Sequence, residues 1–468
     1  MRTSTSTGKR RYWPQLPAAV WLVLGLAHAL AFGHALHTGR YTFPDSDRYV
    51  QVAQNLRQHG QLYARPWPGR PPRGQEVQEF TIRPPGYPLL VLALGGAGQR
   101  PVLLLLFQNI VSVLVLAVVL SGWATSHACP LSRGQWAVAL GLTLSFPAQF
   151  IYANAVMSEV PLQAVVLLGA GLGIRFWQSG RLRTLAGASA AVVAAWLLKP
   201  VFFPFVAVFL VLIGWRGWQW RRPALLLPAA LPLLLAGVYM VWNGHRTGYV
   251  HFSSIADINL LHYNAAGAIR QASGPAAEEA WVAAVLRRAN AQPTFAARQH
   301  IIQQAAATVL RQHPVHYAKQ HALGIGTLLL DPGRFDLSTF WGSAAAPGLL
   351  GELRGGGLAG LGLALGRQPL GLLLALSVVA LANVLRLGLV LRGLAVAPPG
   401  ERPAGWLRLA QPASRWAAVG LVAYVAVLTG PLGAARFLLP LWPLWLALAL
   451  RGLPVGPAFY QLKPAFID

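Results

Sequence analysis

The stretch that decides the fold is Leu16–Leu36, LPAAVWLVLGLAHALAFGHAL, with Lys9-Arg10-Arg11 just before it. It is apolar over the length that crosses a hydrocarbon core, about 20 residues. Comparable blocks recur along the 468 residues, of which 55% are apolar and only 11% charged. Soluble domains carry about 25% charge, and their apolar runs are broken by charged helix faces. The reading is an all-α polytopic membrane protein, one membrane domain over 1–468. The basic flank resembles that of a signal peptide. The run is long, however, and no small-residue cleavage site follows, so it is read as a retained first span with a cytoplasmic N-terminus.

Outward from this helix, charge marks the ends of the apolar blocks. The formal charge is +25, yet the basic residues form no stripe of the kind that tracks nucleic acid. They gather where short loops face the cytoplasm, and anionic membrane lipids are the partner they fit. Clusters at Arg175–Arg183 and Arg216–Arg222 both fall on the inner side of the predicted topology. The lone Cys129 has no partner for an internal disulfide.

Ten spans are expected, or twelve if residues 321–367 cross. Spans 1 to 7 are read to about His37 and then at about 101–122, 136–153, 161–175, 184–199, 201–216 and 224–242. The last three lie at about 370–391, 417–429 and 437–450, with Arg386, Arg392, Arg402, Arg408 and Arg415 marking an inner loop. Two external segments stand out. Residues 38–86 form a first external loop with an amphipathic helix (Tyr49, Val52, Ala53, Leu56), closed by Arg83-Pro84-Pro85-Gly86-Tyr87-Pro88, whose proline density argues against regular helix through the motif. Residues 243–320 form a larger external segment with surface helices at 278–290 and 299–312.

The chain has only thirteen acids, and on this topology all but Glu401 and Asp468 are external. Phe43-Pro44-Asp45-Ser46-Asp47-Arg48-Tyr49 sets two of them just after the first span. Glu159 falls in a turn between two spans, and Lys199-Pro200 joins two spans with no loop around it. Ionisable groups near membrane depth are costly and are usually paired or functional. His28, His34 and His37 are read as polar residues on one face of the first helix.

The order of these motifs resembles the GT-C glycosyltransferases, more narrowly the bacterial branch similar to protein O-mannosyltransferases and lipid A aminoarabinose transferases. The matching residues are Asp45-Ser46-Asp47, Ala53-Gln54-Asn55-Leu56, Arg83 to Pro88, Met157-Ser158-Glu159-Val160-Pro161, Lys199-Pro200, and Arg436-Phe437 with Pro440 and Pro443. They run from residue 43 to 443, nearly the whole chain. The resemblance implies a GT-C-like bundle in the cell (inner or plasma) membrane. It implies a polyprenyl-phosphate sugar donor used on the external face, and inverting transfer to the hydroxyl of a lipid, glycan or protein acceptor. The mannosyltransferase branch has adjacent Asp-Glu where Ser46 here separates two aspartates, which leaves a divalent cation (Mg²⁺ or Mn²⁺) and the acceptor open.

Elementary chemistry reads the same residues compatibly. A sugar phosphate carries its own good leaving group, so one base on the acceptor hydroxyl suffices, with cations to neutralise the departing phosphate. Asp45 is the candidate base, or else a helix N-cap. Asp47 is a supporting carboxylate, a metal ligand or a first-turn acid favoured by the helix dipole. Arg83, Lys199 and Arg436 are candidates for the phosphate; the two arginines would otherwise snorkel to headgroups. Glu159 binds a cation or the sugar, or pairs with Lys199. The competing class is a secondary transporter or lipid flippase, which would place its polar residues at the midplane, often in repeated halves.

Overall fold

The computed structural model describes residues 16–98, 100–127, 129–342, 349–396 and 411–454, with backbone only for 349–356 and 361. Lys9-Arg10-Arg11, Arg402, Arg408, Glu401 and Asp468 lie outside them. The described residues are almost entirely helical, without strands.

Seven helices are long and apolar enough to cross a membrane: Ala18–Thr38, Val102–Thr125, Glu159–Ser179, Pro200–Gln219, Pro223–Thr247, Leu370–Ala395 and Pro412–Leu432. The pair Arg133–Leu144 and Pro147–Ala153, bent by 59°, is apolar enough to make an eighth if its two halves are taken as one broken span. The expected ten add Leu182–Leu198 and Trp442–Arg451, which are shorter. Trp442–Arg451 is buried along its length, so neighbouring helices rather than lipid surround it. The outward faces of the long helices carry exposed leucines and valines, such as Leu22, Leu30, Val211 and Leu381, as a lipid-facing surface requires.

The basic clusters do meet at one end of the bundle. Arg216 donates to the Trp177 carbonyl at 3.3 Å and lies over the Trp177 and Trp220 rings. Arg222 donates to the Gly180 carbonyl at 3.2 Å. Surface helices are found at Pro275–Asn290 and Phe295–Gln312, packed in small apolar clusters of their own around Ala265, Val285 and Ile302.

Three local expectations are corrected. A helix, Gly86–Ala93, starts inside the proline motif, because Pro88 falls in its first turn, where the missing N–H costs nothing. Glu159 is the first residue of a helix rather than part of a turn. Arg386, Arg392 and Arg415 lie inside helices, and Arg386 is 1% exposed. The Arg386 Nε donates to the Leu142 carbonyl at 3.2 Å and its Nη2 to Ser145 Oγ at 2.6 Å, while Nη1 bonds Asn383. Its guanidinium lies over the Trp442 ring, itself stacked on Phe146. Pro147 ends the ladder of the preceding helix, and Arg386 takes up acceptors freed at that bend. Among residues 321–367, His321–Leu330 is the end of a helix that begins at Pro314.

Candidate active site

At the end of the bundle opposite the arginine clusters, the first loop is folded onto the helix ends. Asp45 occupies the N-cap position of the Ser46–His59 helix, yet its side chain makes no cap bond. Ser46 Oγ instead accepts from the Phe43 N–H at 2.8 Å. The carboxyl is therefore free to turn inward. Tyr49, Val52 and Ala53 bury the inner face of the helix, with the Tyr49 ring edge-on to Tyr87. Asn55 donates to the Tyr63 and Arg65 carbonyls, which fastens the returning loop.

Arg83 comes from the other arm of this loop. It is 8% exposed, its Nη2 reaches Asp45 Oδ1 at 2.5 Å, and its guanidinium lies over the Tyr49 ring at 5.1 Å. Gly86 makes the approach feasible. A Cβ there would stand 2.7 Å from the Leu197 carbonyl, so only glycine lets this loop touch the end of the Leu182–Leu198 helix.

The next residues in that helix deliver Lys199. Pro200 forces its predecessor into extended backbone, and Lys199 is indeed at φ −150, ψ 128. Its Nζ reaches Glu159 Oε1 at 2.6 Å and lies over the Phe437 ring. Glu159 is 1% exposed, and its Oε2 has no hydrogen-bond partner among the described residues. The turn before Glu159 is anchored by Gln108 and Asn109, which donate to the Ala155 and Ala153 carbonyls, and by Val156 N–H on the Tyr41 carbonyl. Arg436 enters from the short Ala435–Leu438 helix, with Nη1 3.7 Å from Asp45 Oδ2.

Five of the six expected residues are thus brought together: Asp45, Arg83, Glu159, Lys199 and Arg436. Burial alone would raise the Asp45 carboxyl, but the charges of Arg83, Arg436 and Lys199 outweigh it and hold it below the usual carboxylate range. Asp47 is the exception. It is exposed, in the first helical turn, and carries no hydrogen bond or ion pair among the described residues. Among the described residues, no group of three His, Cys, Asp or Glu side chains is assembled for a metal ion. His28 is buried against Ser112 Oγ and the Leu24 carbonyl, and His34 bonds the Phe340 carbonyl.

Two features were not read from the sequence. Tyr152 and Asp336 flank the cluster, with the phenol donating to Asp336 Oδ1 at 2.8 Å. The available signal was Asp331-Pro332-Gly333-Arg334-Phe335-Asp336, two acids around a turn dipeptide directly after an apolar helix. The second is an apolar cavity of about 480 Å³ between the helices of 159–179, 182–198, 205–219 and 412–429. Phe202, Phe205 and Tyr424 line it near Lys199, and Trp177 and Gln411 at the far end. Tyr424 OH donates to the Val201 carbonyl at 2.6 Å, which ties this wall of the cavity to the segment just after the Lys199-Pro200 break.

No protein-family model matches the chain, and no curated protein matches it in sequence. Two solved structures are similar to it. ArnT from Cupriavidus metallidurans, bound to undecaprenyl phosphate, aligns over 93% of this chain and 78% of its own, at 16% identity and TM-score 0.37. The arabinosyltransferase EmbB from Mycobacterium smegmatis aligns over 92% of this chain at 14% identity and TM-score 0.37; this chain spans 42% of its length.

Proposed function

We propose that the protein is a multi-pass membrane glycosyltransferase that moves a sugar from a polyprenyl-phosphate donor to an acceptor hydroxyl. The reaction runs at the end of the bundle that carries Asp45, on the external face of the cell (inner or plasma) membrane. What supports this is one observation: Arg83, Lys199 and Arg436 gather their charge around Asp45, and an apolar cavity lined by Phe202 and Phe205 begins three residues beyond Lys199. A phosphate with a long apolar tail needs both halves of that arrangement, fixed cations for its oxygens and an apolar channel for its chain.

In the step itself, the acceptor oxygen attacks the anomeric carbon from the face opposite the phosphate. The carbon–oxygen bond to phosphate breaks, its electron pair leaves with the polyprenyl phosphate, and configuration inverts. The acceptor proton passes to Asp45. A carboxylate held below its usual range is ionised at all ordinary pH values and so is always ready to accept, though with modest basicity. The same cations that lower it are released towards the phosphate as charge develops there. Glu159, with one oxygen on Lys199 and the other open, orients Lys199 and accepts from a sugar hydroxyl. The reading assigns neutralisation of the phosphate to the three cations and routes no step through a divalent ion. The acceptor, whether lipid, glycan or protein, docks from the loop side.

The test uses the full chain in sealed proteoliposomes with a panel of polyprenyl-phosphate pentoses and hexoses, reading liberated polyprenyl phosphate by mass spectrometry and the leaflet that holds the intact donor. At least one donor should lose its sugar, with an acceptor extract present. Passage of an intact donor across the bilayer with no cleavage would replace this reading with the flippase one.

A further inference from the structure

Asp336 is 5% exposed, on the short Arg334–Trp341 helix. It makes no cap bond there. Among the described residues its one hydrogen bond is from the Tyr152 phenol, and Tyr152 is fully buried with its ring against Phe43, two residues before Asp45. The groups around Asp336 are Asp331 from the preceding turn, Arg436 and Glu159. On the far side of its helix, His34 and Arg40 engage only the Phe340 and Thr339 carbonyls. The neighbouring helix brings Asn383, bonded to the Leu330 and Asp331 carbonyls, and Arg386, committed to the bend.

The charges of the cluster can be counted. Asp45, Glu159, Asp331 and Asp336 stand with Arg83, Lys199, Arg436 and, on the helix of Asp336 itself, Arg334: four acids and four cations. Fully ionised, the cluster has no positive charge left over for a phosphate; with Asp336 protonated it has one. Three of the acids meet cations or backbone donors. Asp45 has Arg83 and Arg436, and Glu159 has Lys199. Asp331 accepts from the Gly333 and Ala435 N–H groups. Asp336 alone has only a neutral phenol, with no ion pair among the described residues.

We propose that Asp336 is the proton-bearing acid of the phosphate site: protonated, it lets the cluster accept the donor's phosphate, and ionised, it weakens that binding. The inference rests on the glycosyltransferase reading and names how its donor site is tuned. Burial pushes the carboxyl up to about 7, with Asp331 and Glu159 adding to it and Tyr152 and Arg436 opposing. The proton therefore leaves within the physiological range.

The probe is a polyprenyl monophosphate titrated into the protein in nanodiscs from pH 5.5 to 8.5. Wild type is compared with D336N, which is neutral throughout. The lipid's own second ionisation, near pH 6, cancels in the ratio of the two affinities. That ratio should be close to one at pH 5.5, and by pH 8.5 D336N should bind ~10-fold more tightly, the effect of one unit charge a few ångströms away in a partly screened site. A ratio that does not change with pH overturns the proposal and leaves the glycosyltransferase reading standing. No binding by wild type at any pH overturns both. Should D336N fail to fold, Y152F serves: loss of the phenol donor raises the carboxyl further, so the fall in affinity should move to higher pH than in wild type. A Y152F profile superimposed on that of wild type contradicts the proposal.

Discussion

Two buried guanidiniums in this molecule are handled in opposite ways. Arg386, deep in the bundle, is met by a helix-end carbonyl, a serine hydroxyl, an asparagine and two aromatic rings. Arg83, in the first loop, is met by a carboxylate at 2.5 Å and a tyrosine face. Dipoles and rings satisfy a cation without committing a second charge to the interior, and that suffices where the task is to close a bend. Acid–base pairs cost two desolvations and recur here as Asp45 with Arg83 and Arg436, and Glu159 with Lys199. All of these lie at one end, on segments that break regular helix. The difference separates a structural use of buried charge from one in which the charges can exchange partners with an incoming phosphate.

The largest effect expected from breaking this contrast is at Lys199. K199Q leaves Glu159, 1% exposed, as an unpaired buried carboxylate, which should lower stability by ~3–5 kcal/mol. The double variant E159Q/K199Q should regain most of that stability while still failing to bind a polyprenyl phosphate, because a neutral amide pair replaces the charges. Thermal unfolding with and without ligand checks both halves. Next comes R386Q, which should cost ~1–3 kcal/mol through lost hydrogen bonds at the bend yet leave donor affinity unchanged in the protein that remains folded. If R386Q lowers affinity at a matched folded fraction, the contrast between the two guanidiniums fails.

A smaller effect follows from Asp45. Its folded carboxyl is held below its unfolded value by Arg83, Arg436 and Lys199 against the opposing pull of burial. The stability this contributes is present above the unfolded value, about 4, and is lost as pH falls through the lower folded one. Melting temperatures of wild type and D45N should therefore differ at neutral pH and converge on acidification. Smallest of all is D47N. Asp47 is exposed and unbonded among the described residues, so transfer should stay at the wild-type level; a large loss would return it to the site.

Much of this was legible in the sequence because it depends on short-range rules. Apolar length gave the spans, and X-Pro geometry placed Lys199 at a break. The scarcity of acids made Asp45 and Glu159 conspicuous. What could not be read depends on long-range packing. Arg386 looked like a loop residue at the end of an apolar block, since nothing local reports that a bend 241 residues earlier in the chain supplies its acceptors. Asp336 lies between a short apolar run and the Gly/Ala-rich stretch at 349–365, in a region without clear periodicity, and its partner Tyr152 is 184 residues away. Asp45 at an N-cap position was ambiguous between cap and site. The choice was made by Ser46, whose hydroxyl takes a backbone N–H of the turn and releases the carboxyl.

The most direct test of the central claim is the rate at which wild type and D45N liberate polyprenyl phosphate from whichever donor the panel identifies. It should be measured on detergent-free nanodisc preparations matched for folded fraction. With Asp45 as base, D45N should lose ~10²–10⁴-fold in turnover while still binding polyprenyl phosphate through Arg83, Lys199 and Arg436. Turnover by D45N at the wild-type rate would contradict the account.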